Sequence, residues 1–293
     1  MADKRNDTQR IVGDLKSMPT LPGLIAKLGA IAENNKASAQ EVARVVSMDP
    51  VLSAKVLRLV NSAFYGFSRR VSTVSNAIIL LGVNVVKSLT ISSSIFEIME
   101  QNIVGLWEHS MGVAVAANII ARELKLPEPE ETSTVALLHD IGKVAIKIRL
   151  EDDYSRLTSL IKEKELSMAA AERELLGTDH AEIGERMART WLLPEKLIEP
   201  IACHHNVEKS TVHRAKTSVV HIADVLIKAS GFGLSGDDIV PQIQPVAWQK
   251  LGLTEDCLEQ IIDKVEDKLV EVRQFSMEIQ SDDAKTSHIP AIA

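Results

Sequence analysis

Seven side chains in the second half of the chain have the chemistry of metal ligands. His109, the adjacent pair His139-Asp140, His180, the adjacent pair His204-His205, and Asp224 follow one another in that order. Neutral imidazoles and carboxylates are the usual donors for zinc, manganese, iron and nickel. Each of the seven falls on an expected helix or at a helix end. Neighbours on a helix point about 100° apart. His139-Asp140 can therefore flank one ion from a helix end, or serve two ions if the carboxylate bridges. His204-His205 stand in the same relation. A lone helical histidine is more often a core or surface residue, and a His-Asp dipeptide alone carries little. The ordered set says more, because His139 and Asp140 lie inside the apolar run Ala136-Leu-Leu-His-Asp-Ile-Gly142. Buried imidazole and carboxylate need partners there, and a metal supplies one.

These side chains must be positioned by helices. The 293 residues are 45% hydrophobic but only 3% aromatic. A core of that make-up is Leu, Ile, Val and Ala, which suits packed helices, and no segment alternates at period two over strand length. The expected fold class is all-α, with two packed helical subdomains, the second a helical bundle around the His/Asp set. Ser38-Ala-Gln-Glu41 reads as a capping box, and Asp49-Pro50 as a second start signal. Val51, Leu52, Val56, Leu59 and Val60 then form one apolar stripe. Further helices are expected over Ala77–Leu81, stopping at Gly82, and over Val85–Met99, Leu106–Leu124 and Glu130 through Ile141. Others follow over Asp153–Lys164, Ser167–Leu176, Asp179–Trp191, Pro194 toward His205, Val212–Ala229 and Glu255–Met277. The layout reads as a frayed end over 1–14, a first subdomain over 15–104 and a metal-binding subdomain over 105–232. A loop and covering helix follow over 233–280, with a frayed tail over 281–293.

The net charge of −7 argues against broad nucleic-acid binding. Cys203 and Cys257 form no framework, and the sixteen uncharged residues from Val71 to Val86 are too short and polar for a membrane span. The start is charged and has no apolar run behind it. A reducing cytoplasm is the expected compartment. Asn61-Ser-Ala-Phe-Tyr-Gly-Phe67 reads as a helix end with aromatics in the core, and Arg69-Arg70 as an anion-attracting spot. His213, His221 and His288 lie off the ordered set; His221, one turn before Asp224, reads first as a core or surface histidine and second as a support behind the ligands.

The order H…HD…H…HH…D, with His139-Asp-Ile-Gly-Lys143, resembles the HD superfamily of metal-dependent phosphohydrolases. The first half narrows the resemblance to the HDOD family, an HD-related output domain of bacterial signalling proteins. It carries Met18-Pro-Thr-Leu-Pro22, Met48-Asp-Pro-Val-Leu52, Asn61-Ser-Ala-Phe-Tyr-Gly66 and Ala77-Ile-Ile-Leu-Leu-Gly82. Leu106-Trp-Glu-His-Ser110, Asp179-His-Ala-Glu-Ile-Gly184 and Trp191-Leu-Leu-Pro-Glu195 extend it, over about residues 15–230. The resemblance implies that the second subdomain is an HD-type helical bundle and that the whole is a regulatory module that binds a signalling protein or a ligand. By likeness to the HD-GYP phosphodiesterases, His109, His139, Asp140 and Asp224 would hold one divalent metal. Asp140 would bridge to a second, held by His180, His204 and His205. Asp140 and Lys143 are the implied catalytic pair, with Lys143 facing a phosphate. The alternative function is a phosphohydrolase acting on a nucleotide or phosphodiester. Gly105 stands where trinuclear HD-GYP members carry Glu, and no GYP-type signature follows Asp224, which argues against cyclic di-GMP as substrate.

Overall fold

The computed structural model describes residues 42–43, 46–47, 50–61, 65, 67, 69–82, 85–86, 89–90, 99, 102–191 and 193–286. All regular structure among them is helical, as the aliphatic composition requires. Helix α1 (Pro50–Val60) opens on a proline, whose missing N–H is one that a helix start leaves unpaired. Asn61 then folds the following loop back on the helix. Its amide donates to the Leu57 and Val71 carbonyls at 2.8 Å each, and its Oδ1 accepts the Val71 N–H at 2.7 Å. Helix α2 (Val74–Leu81) is capped by the Thr73 hydroxyl and ends at Gly82, whose φ of 85° favours glycine. It buries Val74, Ala77, Ile78 and Leu81, one face of an α-helix. Tyr65 is buried, and its hydroxyl shares a 3.1 Å hydrogen bond with Thr134.

Helix α3 (Leu106–Glu123) is the central post, buried on almost every side. Its small residues let neighbours approach: a Cβ on Gly112 would lie 2.9 Å from the Phe232 ring. Around it stand α4 (Pro129–Leu138), α5 (Ile141–Arg149), α6 (Glu151–Lys164), α7 (Met168–Leu176), α8 (His180–Thr190), α9 (Glu195–Cys203), α10 (Arg214–Ser230), α11 (Pro245–Leu251) and α12 (Glu255–Thr286). Helices α4, α10 and α12 pack directly on α3. The apolar face expected for the last helix does cover the core, through Ile261, Val265, Leu269 and Val272.

Three expectations change. The helix read from Glu130 through Ile141 is two helices, parted at His139-Asp140. There the His139 ring takes the Ala136 carbonyl at 2.7 Å, and Asp140 leaves helical geometry at φ −96°, ψ 10°. The last helix runs to Thr286, so residues 281–286 are helical rather than a frayed tail. Helix α11 is not among the expected helices; seven residues, about two turns opened by Pro245 and closed by Gly252, are too few to show periodicity. The 1–14 end, the Ser38–Glu41 capping box, Asp49, Phe64, most of the Val85–Met99 helix and His288 lie outside the described residues. Among the described residues no helix is long and apolar enough to cross a membrane.

Candidate metal centre

The seven residues come from five separate places in the chain and meet at one point. His109 sits in the first turn of α3, where it reaches past the N-terminus set by Gly105. His139 and Asp140 form the joint between α4 and α5, and Lys143 follows one turn later. His180 is the first residue of α8, placed by the Asp179 cap. His204 and His205 follow the end of α9, and Asp224 lies within α10. Two glycines make the approach possible. A Cβ on Gly142 would fall 2.0 Å from the His180 carbonyl oxygen, and one on Gly233, at φ 70°, would fall 2.2 Å from the His109 nitrogen.

The donor atoms form two adjoining groups. Asp140, His180, His204 and His205 make one, and His109, His139 and Asp224 the other, with ligand atoms inside each group within 4.8 Å of one another. Asp140 joins them with one oxygen to each side. Its Oδ2 lies 3.6 Å from His109 Nε2 and 3.3 Å from His139 Nε2, while its Oδ1 lies 3.1 Å from His180 Nε2 and 3.8 Å from His204 Nε2. Asp224 Oδ1 faces His109 Nε2 at 3.1 Å and His139 Nε2 at 3.7 Å.

Four of these converging atoms are buried without a hydrogen-bond partner: His109 Nε2, His139 Nε2, His204 Nε2 and Asp140 Oδ1. Buried polar atoms are normally paired, and leaving one unpaired costs about 1–3 kcal/mol. A cation among them satisfies all four together, so the residues fit a metal. The outer ring nitrogens are also arranged for it. His139 Nδ1 lies 2.7 Å from the Ala136 carbonyl and His204 Nδ1 lies 2.8 Å from the Ile201 carbonyl. A carbonyl only accepts, so each Nδ1 carries a proton and Nε2 is the nitrogen that faces inward, the one free to become a ligand once it gives up any proton of its own.

The electrostatics show the same demand for positive charge. Burial pushes His139 down, but the Asp140 and Asp224 carboxylates outweigh it and hold the ring up at about 9. His180 also stands at about 9; burial lowers it, but Glu172 and Asp140 raise it more. Burial and the charged His139 and His180 press His204 down to about 3. Asp140 and Asp224 stay ionised well below the usual carboxylate range, because the histidines outweigh desolvation. Lys143 is held above its ordinary value against burial, chiefly by Asp140.

Several supporting groups were not legible in advance. Glu172 on α7 is fully buried behind His180. The Ser235 carbonyl holds Lys143 at 2.8 Å. His221 is the exception, its second reading being a support behind the ligands: it is buried and braces the His204 carbonyl through Nδ1 at 2.9 Å, while its Nε2 accepts the Gln244 N–H at 3.0 Å. Gln244 in turn donates to the His205 carbonyl. Glu172 did leave one signal, since it falls between Met168 and Leu176 on the apolar stripe of α7. His213 stays outside the cluster and caps α10. Cys203 is half-buried, and burial pushes its thiol up to about 11, which leaves it unreactive.

Comparison with known proteins agrees with this architecture. A solved HDOD domain protein of unknown function from Geobacter sulfurreducens superposes with a TM-score of 0.68 at 26% identity, covering 90% of this chain and 95% of that one. A protein from Marinobacter aquaeolei VT8, described as a candidate signal transduction protein, gives 0.71 at 18% identity, covering 93% of this chain and 65% of that one, a likeness of fold alone. An uncharacterised protein from Treponema pallidum (strain Nichols) is 24% identical over 223 residues, 74% of this chain and 44% of the relative. This chain therefore spans under half the length of that relative. The HDOD domain family model matches residues 18–207. Asp224, Ser235 and Gln244 lie beyond that stretch yet build or brace the cluster. With its aliphatic helices, its His/Asp cluster and a family match over more than half its length, the chain belongs to the HDOD domain family.

Proposed function

We propose that this chain is a bacterial-type signalling module whose pocket holds two divalent cations and which acts by binding a regulatory ligand or a signalling protein. The meeting of four buried, unpaired donor atoms at Asp140, His109, His139 and His204 carries the metal part of this reading. His109, His139 and Asp224 with Asp140 Oδ2 would hold one ion; His180, His204 and His205 with Asp140 Oδ1 would hold the other. Imidazole with carboxylate suits manganese, iron, nickel and zinc. The regulatory role is supported by family membership and by burial. His139 and His204 are 0% exposed and Asp140 is 1% exposed, so the centre is enclosed and His205 is its part-open side.

A second reading, a phosphohydrolase acting on a nucleotide or phosphodiester, is favoured by the completeness of the donor set and by Lys143. Bound ions would supply Lewis-acid polarisation of a phosphoryl oxygen. The Lys143 ammonium, beside Asp140, would neutralise charge on a phosphate.

Elemental analysis of the purified protein tests the first part. No metal, and no binding of added Mn²⁺, Fe²⁺ or Zn²⁺, would remove the centre. Turnover separates the two roles. A generic phosphodiester and a nucleotide panel would be assayed under reducing conditions with several metals, using wild type and Asp140→Asn. Hydrolysis lost in the variant would make the protein an enzyme. No hydrolysis under any condition would leave the binding module.

A further inference from the structure

We infer that Glu172 is a positioning residue for His180, and that the two halves of the centre are unequal: the His180, His204, His205 half takes its cation first and holds it more tightly. This rests on the two-ion reading above. Two independent observations carry it.

The first is what stands behind the rings. His139 and His204 turn their outer nitrogens to backbone carbonyls. His180 turns its Nδ1 to the Glu172 carboxylate at 2.6 Å. The same oxygen, Oε2, also accepts the His180 backbone N–H at 2.8 Å. One carboxylate oxygen thus sets both the ring and the main chain of the residue that opens α8. A carboxylate behind an imidazole makes it a stronger donor than a carbonyl does, and brings a full negative charge toward the bound cation. Glu172 is 0% exposed, so solvent screens little of that charge.

The second is how the two oxygens of Asp140 are engaged. Oδ2, on the His109 and His139 side, is taken by the Lys143 ammonium at 2.6 Å. Oδ1, on the His180 side, carries no lysine and has the His180 ring nitrogen near it, at 3.1 Å. A cation entering the His180 half finds no ammonium on its carboxylate oxygen; it meets imidazoles, with His180 Nε2 3.1 Å from Oδ1 and 2.7 Å from His205 Nε2. A cation entering the other half competes with an ammonium that the Ser235 carbonyl also holds at 2.8 Å.

The test is titration of chelator-treated full-length protein with Mn²⁺ or Co²⁺, followed by calorimetry and, for cobalt, by absorption. Wild type is expected to show a tighter and a weaker class. Glu172→Ala should weaken the tighter class roughly 10–100-fold and leave the weaker within about threefold. Glu172→Gln keeps an acceptor oxygen but loses the charge, and should fall between; it also serves if the alanine variant does not fold. Asp224→Asn should weaken the second class and spare the first. The cobalt spectrum of the first equivalent should change in Glu172→Gln and not in Asp224→Asn. Two equal sites in wild type, equal weakening of both classes at Glu172, parity of Glu172→Gln with wild type, or loss of the tighter class in Asp224→Asn would each overturn the inference. Wild type binding no ion would instead sink the metal centre. One bound ion would end the two-ion reading, and the ordering would stand only if Glu172→Gln, not Asp224→Asn, weakens it.

Discussion

The ammonium of Lys143 lies 2.6 Å from Asp140 Oδ2, with both side chains buried one helical turn apart. In the metal-free protein this lysine is the nearest fixed cation to the shared carboxylate. Lys143→Met keeps the apolar stem and removes the charge. The metal-free variant should lose on the order of 3 kcal/mol, as for other buried pairs stripped of one partner. Added Mn²⁺ should restore most of it, because the ion replaces the missing charge. Thermal melts with and without metal check this, and unchanged stability in the metal-free variant would contradict it.

Gly142 is a contact, not a hinge. An added Cβ would meet the His180 carbonyl oxygen at 2.0 Å and the Gly184 nitrogen at 2.9 Å, both backbone atoms. Gly142→Ala should cost about 2 kcal/mol or more through overpacking, and it should blunt the rise in melting temperature on metal addition. Gly184→Ala is the control. Its Cβ would meet only the Ile201 side chain below 3.4 Å, at 3.0 Å, so it should cost less and keep the metal response.

Asp237 ties the loop after α10 to the rest of the fold. It takes the Lys228 ammonium at 3.0 and 2.9 Å, the Met168 N–H at 2.9 Å and the Ile239 N–H at 2.9 Å. Ser235, two residues earlier, supplies the carbonyl that holds Lys143. Lys228→Met should destabilise by about 3–5 kcal/mol. It should also speed hydrogen exchange over residues 232–243 more than over α3. Uniform exchange across both segments would argue against this anchoring role.

Glu199 gives the protein an acid-sensitive joint. Burial raises its carboxyl, but the Ser210 hydroxyl and the N–H groups of Val212, His213 and Thr211 outweigh this and hold it below its ordinary 4.5. The unfolded chain therefore takes up the proton more readily. The carboxylate's contribution is complete at pH values well above 4.5 and is lost as pH falls from there through the lower folded value. Glu199→Gln should be less stable than wild type at neutral pH, and denaturant midpoints of the two should converge in that acid window. A gap that stays constant with pH would refute the assignment.

The His/Asp set was legible because imidazole and carboxylate stood out inside apolar helices. Helix starts were legible at Ser167 and Asp179, whose side chains cap locally. The break at His139-Asp140 was not, because it arises from a ring bonding its own helix and from packing against α8. Ser235 was not legible either, because it acts through a carbonyl that every residue possesses.

Residue type and order thus pointed to a helical protein and to seven His and Asp side chains that the fold brings together. Local patterning reaches that far because periodicity and donor chemistry are written within a few residues. The tertiary structure decided the rest: which oxygen of Asp140 faces which histidines, which ring has Glu172 behind it, and where Lys143 rests. Those relations join residues as far apart as Lys143 and Ser235. Long-range packing sets such distances, and the glycines at 142 and 233 reveal their purpose only when another backbone lies against them.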